Sequence, residues 1–205
     1  MPFERPHPSE EWNPGPAIPP RVAASVIVLR DAPGGPEVLL VQRNPNARFM
    51  GGAWVFPGGA VDASETVEQT ALRELAEEAS VRIADAAELT PFSRWITPAE
   101  VKIRFDTWFF VVRAPGGAEP KADGQECVDL RWITPQQALD AGAAGRLELV
   151  FPTIKHLEQL AGFATVDATI EAAHGRDVVP VQPRIVVEDG GAKVLLPGEP
   201  GFETE

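Results

Sequence analysis

The chain has 205 residues, a formal net charge of −12 and a pI near 4.7, with 44% hydrophobic and 23% charged residues. That balance excludes wholesale disorder and a collagen-like fibre, and a single cysteine, Cys127, excludes a disulfide scaffold. With 18 basic against 30 acidic residues the chain has no broad surface for duplex nucleic acid, so an anionic substrate would need metal ions and a few local arginines to overcome the global field. No apolar run reaches membrane-spanning length, and residues 1–6 start no signal-peptide core; the expectation is a cytoplasmic protein with neither a membrane nor nucleic acid as partner.

In chain order, residues 1–20 carry seven prolines and read as an extended arm. Residues 22–30 (VAASVIVLR) and 37–43 (EVLLVQR) read as neighbouring strands separated by a Pro/Gly turn. A glycine-rich stretch, 51–59, leads into one long helical pattern over 65–79. Residues 104–112 and 128–133 are further strands. The tetrad Trp-Ile-Thr-Pro occurs at 95–98 and again at 132–135. Each copy reads as a strand end followed by a helix start, with Thr as N-cap, Pro in the first helical position and Glu100 or Gln137 closing a capping box. Residues 152–173 suggest one or two helices, and 178–196 a hairpin turning at 188–191. The expected organisation is an arm (1–20), one domain (21–175) and a hairpin extension with a tail (176–205). Strands alternating with few helices give an α/β (α+β) class, a mixed sheet with helices on its faces.

The chemistry concentrates between Gly58 and Val81. On a helix Glu74 and Glu78 share one face, and Glu77 stands one turn from Glu74. Their line borders the apolar stripe of Ala71, Leu75 and Ala79, so the carboxylates sit at the edge of the buried face. Like charges at this spacing repel, and partial burial sharpens the repulsion. A hard divalent cation such as Mg²⁺ removes the conflict, since it prefers carboxylate oxygens, keeps several waters and works beside phosphates. An anonymous acidic cluster would be read as a solvated helix face; the flanking residues change the weighing.

Those residues are Gly59, Glu65, Arg73, Glu74, Leu75, Glu77, Glu78 and Val81, in the pattern Gly-x5-Glu-x7-Arg-Glu-Leu-x-Glu-Glu-x-x-Val. The pattern resembles the signature of the Nudix hydrolases, with Ser80 standing where the family usually has glycine. The resemblance implies a Nudix-like α/β/α sandwich. It implies that Glu74 and Glu78 bind the catalytic Mg²⁺ (or Mn²⁺), that Glu77 is a further ligand or orients the metal-bound water, and that the Gly59 carbonyl completes the shell. Glu65 and Arg73 would pair and hold the loop against the helix. Glu126, just before a strand, is the candidate general base, with Asp123 and Asp129 as rivals. The family analogy also suggests a homodimer.

Upstream, residues 39–59 resemble the coenzyme A diphosphatase branch of that family, with Val41 for Thr and Asn44 for Ser. The resemblance implies hydrolysis of coenzyme A or an acyl-CoA to 3′,5′-ADP and a phosphopantetheine species. Arg43, Arg48 and Arg104 would contact its phosphates, while Phe49 and Trp54 would stack on adenine or cover the pantetheine arm. ADP-ribose or NADH is the alternative substrate type. A nucleotide sensor without turnover is the alternative of another class, although such modules usually lose the carboxylates that are complete here.

Overall fold

Strands that are apolar on both faces need cover on both faces. The computed structural model, which describes residues 11–188 and 191–203, provides it. Strands β1 (Arg21–Arg30), β2 (Glu37–Arg43), β3 (Trp54–Val55), β4 (Gly58–Ala60), β5 (Thr90–Ile96), β6 (Phe105–Arg113), β7 (Cys127–Ile133) and β8 (Pro180–Val181) form one mixed sheet. Its path runs β3-β2-β1-β6-β5-β8, with β4 also on β1 and β7 also on β2. β1 lies parallel to β6 from Arg21↔Phe105 to Leu29↔Arg113. β2 meets β1 only at Leu29↔Val38 and Arg30↔Glu37. The other end of β1 pairs with β4, Ala24 opposite Gly59 and Ser25 opposite Gly58. The glycine-rich turn is thereby held against the central strand.

The period-2 alternation of the strands divides the core between two layers. Val26, Val28, Leu39, Val41 and Phe110 pack with Ala71, Leu75 and Ala79 of α1 (Val67–Ala79). Ile27, Leu29, Val38, Leu40 and Val111 face the opposite layer. That layer is built from α2 (Pro135–Ala143), α3 (Phe151–Leu160) and α4 (Val166–Ala173). The mixed sheet between helical layers is the architecture the sequence implies. A hairpin pairs β9 (Arg184–Glu188) with β10 (Gly191–Leu195) inside the stretch 178–196 read as a hairpin; residues 189–190, at its expected turn, and residues 1–10 of the arm lie outside the described residues. No helix among the described residues is long and apolar enough to cross a membrane.

The two Trp-Ile-Thr-Pro copies behave differently. At the second, Thr134 caps α2, Pro135 opens it and Gln137 closes the capping box. At the first no helix forms, which corrects the expectation. The Thr97 hydroxyl accepts from the Phe105 N–H, and the Glu100 carboxylate accepts from the Ile185 N–H, so both intended capping groups serve strands instead. α1 is capped by Thr66 with Gln69 as its reciprocal partner and ends at Ser80, in the left-handed region at φ 56°. Glycine adopts that conformation freely, while a β-carbon makes it costly.

His156 is a packing residue on α3. It is 1% exposed and ringed by Phe56, Phe92, Trp95 and Phe109. Nδ1–H donates to the Pro152 carbonyl at 2.7 Å, which leaves Nε2 to accept from the Ser93 hydroxyl at 2.5 Å. Burial pushes its pKa down to about 4.

Two outcomes follow from these contacts. Ser80→Gly relieves the left-handed penalty of about 1 kcal/mol, raising Tm by about 2–4 °C in a chain of this size on thermal unfolding. Unfolding frees His156 to protonate near its ordinary pKa while the folded ring stays neutral, so stability falls as pH drops from about 6.5 to 4, by about 3 kcal/mol over the window. His156→Gln removes that contribution, and urea midpoints taken at pH 7 and pH 4.5 will lie closer together in the variant than in the wild type.

Candidate active site

The loop over Gly58 and Gly59 and the helix α1 meet edge to edge, because β4 is pinned to β1 and α1 packs on the same face. Glu78 is 2% exposed. Its Oε2 accepts from the Gly58 N–H at 2.9 Å, whereas its Oε1 is buried with no hydrogen-bond partner. Arg43 Nη1 stands 4.0 Å from that oxygen. Burial pushes the Glu78 carboxyl up to about 7, against the pull of the Gly58 N–H and Arg43. Burial also raises Glu74, opposed by Arg73 and reinforced by the charges of Glu77 and Glu126. A β-carbon on residue 59 would collide with the Glu74 carboxylate and force it to move.

Arg73 is the hub of the cluster. It reaches Glu65 with Nε at 2.8 Å and Nη2 at 3.0 Å, and its Nη1 lies 2.7 Å from Glu74 and 3.0 Å from Glu77. The guanidinium holds the Glu65 carboxyl down at about 2, and the Thr70 hydroxyl adds to the effect. No trio of His, Cys, Asp or Glu among the described residues forms a ready-made metal cage. The donor set still fits a hard divalent cation: an orphaned buried carboxylate oxygen, a second buried carboxylate, and a glycine pressed against it. Mg²⁺ needs only one or two carboxylates and fills its octahedron with water and phosphate oxygens.

A cavity of about 330 Å³ opens beside these groups. Arg43, Gly58, Gly59, Glu74 and Glu126 line it at the carboxylate side, and Phe49, Met50, Phe56, Phe105, Phe109 and Pro152 make up much of the rest. The wall has one unusual bend, Met50 at φ 52°, next to Gly51, where a β-carbon would press on the carbonyls of Pro45 and Ala47. The ring of Phe49 lies 5.6 Å from that of Phe105.

The sequence-derived candidates divide on geometry. Glu74, Gly59, Glu126, Arg43 and Phe49 share the cavity, and Glu78 stands behind it against Gly58 and Arg43. Glu77 is exposed and bound to Arg73. Of the two rival bases, Asp123 accepts from the backbone N–H groups of Gln125, Glu126 and Cys127 and so shapes the loop that carries Glu126. Asp129 lies outside the cavity, accepting from its neighbour Leu130. Asn44 clasps the same loop through Glu126 and Gln125. The Cys127 thiol is fully buried and pushed up by burial and by the adjacent Glu78.

Three expected substrate contacts stand elsewhere. Trp54 is 3% exposed, packed in the core with the Arg131 guanidinium 4.7 Å over its ring. Arg48 is exposed and off the cavity wall. Arg104 is 7% exposed and donates from Nε to the Thr97 carbonyl and from Nη1 to the Ile18 carbonyl, which ties it to the backbone. Distant backbone explains the last case: the Thr97 and Ile18 carbonyls draw Arg104 away, while Phe105, the first residue of β6, lines the cavity. Phe109, Val150 and Thr153 also line it; no local motif marks them, and only the packing of β6 and α3 brings them to this wall.

Comparison with known proteins bears on the same residues. Residues 19–152 match the family model described as the NUDIX domain. A Mycobacterium tuberculosis protein, provisionally named 8-oxo-dGTP diphosphatase 3, is 34% identical over 121 residues, 58% of this chain and 54% of its own. The human NAD-capped RNA hydrolase NUDT12 is 28% identical over 132 residues, 64% of this chain and 26% of its own. The chain thus spans about half the length of the first curated relative and about a quarter of the second. The crystal structure of a NUDIX hydrolase from Alicyclobacillus acidocaldarius is similar at TM-score 0.68 and 26% identity, covering 75% of this chain and 96% of that one. With the family model spanning more than half of the chain, and the loop and helix of its signature folded against each other, this chain belongs to the NUDIX domain family.

Proposed function

We propose that this chain hydrolyses a diphosphate linkage in a nucleoside diphosphate derivative, using a divalent cation, Mg²⁺ or Mn²⁺, held by Glu74 and Glu78 with Gly59 and Glu77 in support. The observation that carries the reading is the buried Oε1 of Glu78, without a hydrogen bond and with Arg43 only at 4.0 Å, behind the cavity that Glu74 and Gly59 line. Leaving such an oxygen without a hydrogen bond is costly, and a bound cation would satisfy it. When bound, the cation would neutralise phosphate charge and lower the pKa of a coordinated water. Arg43 adds a fixed positive charge at the same side of the cavity. Glu126 lines the wall within the field of Glu74 and is the group placed to take the proton of the attacking water. Water attacks one phosphorus, the bridging P–O bond breaks, and its electron pair leaves with the second phosphate.

The largely uncharged cavity suits the uncharged end of the substrate. Coenzyme A or an acyl-CoA is the member of the class that the upstream segment favours, its pantetheine arm against the phenylalanines. Arg48 and Arg104, off this wall, leave the 3′-phosphate of coenzyme A to solvent. Relatives named for 8-oxo-dGTP and NAD-capped RNA keep other nucleoside phosphoanhydrides in the test set.

Chromatographic product analysis with coenzyme A, an acyl-CoA, ADP-ribose, NADH and 8-oxo-dGTP, with Mg²⁺ and then with EDTA, decides the reading. Release of 3′,5′-ADP and a phosphopantetheine species, abolished by EDTA, supports coenzyme A. Turnover of another substrate keeps the mechanism and discards that choice; ligand-induced stabilisation without product, in Mg²⁺ or Mn²⁺, favours a sensor. Glu78→Gln removes the anionic ligand at constant volume. It will lower kcat by about a hundredfold or more while leaving Tm within a few degrees of wild type. Full activity in that variant would overturn the metal assignment.

A further inference from the structure

The segment between β5 and β6 closes on itself at the cavity. Thr97 N–H donates to the Phe105 carbonyl at 2.9 Å, Phe105 N–H donates to the Thr97 hydroxyl at 3.0 Å, and both residues line the cavity. Its middle is held by two pieces of chain that mostly lie outside the stretch matching the family model.

From one side comes the arm. Trp12 bridges Val101, Asn13 N–H donates to the Glu100 carbonyl at 2.7 Å, and Lys102 N–H donates to the Glu11 carbonyl at 2.9 Å. Further along the arm, the Ile18 carbonyl accepts from Arg104. From the other side comes the C-terminal hairpin. Ile185 N–H donates to Glu100 Oε2 at 3.3 Å. Ile185 and Val194 pack on Val101, which is 1% exposed, and Phe151 joins the same cluster. Phe151 opens α3, and the next two residues, Pro152 and Thr153, line the cavity. One apolar cluster therefore backs two parts of the wall, and Glu100 joins arm to hairpin through its carbonyl and its carboxylate.

We infer that the arm, residues 11–18, and the β9–β10 hairpin form a clamp that fixes this wall and thereby sets the affinity for the substrate group bound there, with Glu100 as its positioning residue. The inference rests on the hydrolase reading only for its kinetic expression. Among the described residues, none of the hydrogen bonds and ion pairs of Glu65, Arg73, Glu74, Glu77 and Glu78 involves either segment. The clamp thus acts on binding and leaves the cation site alone.

The test uses the full chain with Glu100→Ala, Glu100→Gln and Ile185→Asp. Glu100→Ala removes the acceptor for Ile185, and Glu100→Gln keeps one. Hydrogen–deuterium exchange will quicken at residues 97–105 and 151–155 in Glu100→Ala and Ile185→Asp, with α1 unchanged, and will stay near wild type in Glu100→Gln. Mn²⁺ affinity, read by electron paramagnetic resonance, will be the same in all four proteins. With whichever diphosphate the wild type cleaves, Glu100→Ala will raise KM roughly fivefold at nearly constant kcat, and Glu100→Gln will restore it. Unchanged exchange at 97–105 in both disruptive variants, or a fall in kcat or Mn²⁺ affinity with KM unmoved, overturns the clamp. If the wild type cleaves none of the diphosphates, the hydrolase reading fails, and the exchange comparison still decides the clamp by itself.

Discussion

The structure turns on two carboxylates held where water reaches them poorly. Glu74 and Glu78 sit at the border between the apolar stripe of α1 and the sheet, and their carboxyls are lifted by burial. That position is unfavourable for charge unless something fixed answers it. The surrounding features supply parts of that answer: β4 presents the Gly58 N–H, Gly59 leaves room that a side chain would take, Arg73 binds Glu74, and Arg43 approaches Glu78. The remaining deficit, a buried Glu78 oxygen without a hydrogen bond and with Arg43 only at 4.0 Å, is the feature on which the proposed cation site rests.

Arg73 does more than tie the loop to the helix. Its contacts to Glu74 and Glu77 make it a positively charged occupant of the space where ligands would otherwise repel one another. If the proposed divalent ion binds, it would compete with that guanidinium for Glu74 and Glu77, while Glu65, bound through two nitrogens, would keep the arginine anchored.

Much of this was legible in the sequence because spacing along one helix determines which side chains share a face. Glu74, Glu78 and the stripe of Ala71, Leu75 and Ala79 needed only the 3.6-residue repeat, and the end of the helix at Ser80 needed only the order of the motif. Strand limits came from apolar runs, and β2 falls where the run 37–43 placed it. The failures have a shared cause. Trp54 and Arg104 look like ligand-contacting residues beside a glycine-rich motif, yet Trp54 is turned into the core by its register against β2 and Arg104 is drawn to the Thr97 and Ile18 carbonyls, which no local pattern states. The first Trp-Ile-Thr-Pro copy has every local signal for a helix, and partners far away in the chain, Asn13 and Ile185, claim the segment instead. Propensity lost there to long-range pairing.

The parallel pairing of β1 with β6 has a consequence for how the chain is made. The central strand finds its longest partner only at residues 105–113, some eighty positions after itself, and its early contact with β2 covers two residue pairs. At a synthesis rate of roughly 5–20 residues per second, β1 waits several seconds on the ribosome with one edge and the apolar face that later meets α2–α4 unmatched. Contacts this distant in sequence also slow folding in free solution. The nascent segment 21–43 is therefore the stretch of this protein most exposed to aggregation, and the place where a chaperone would find the longest-lived target.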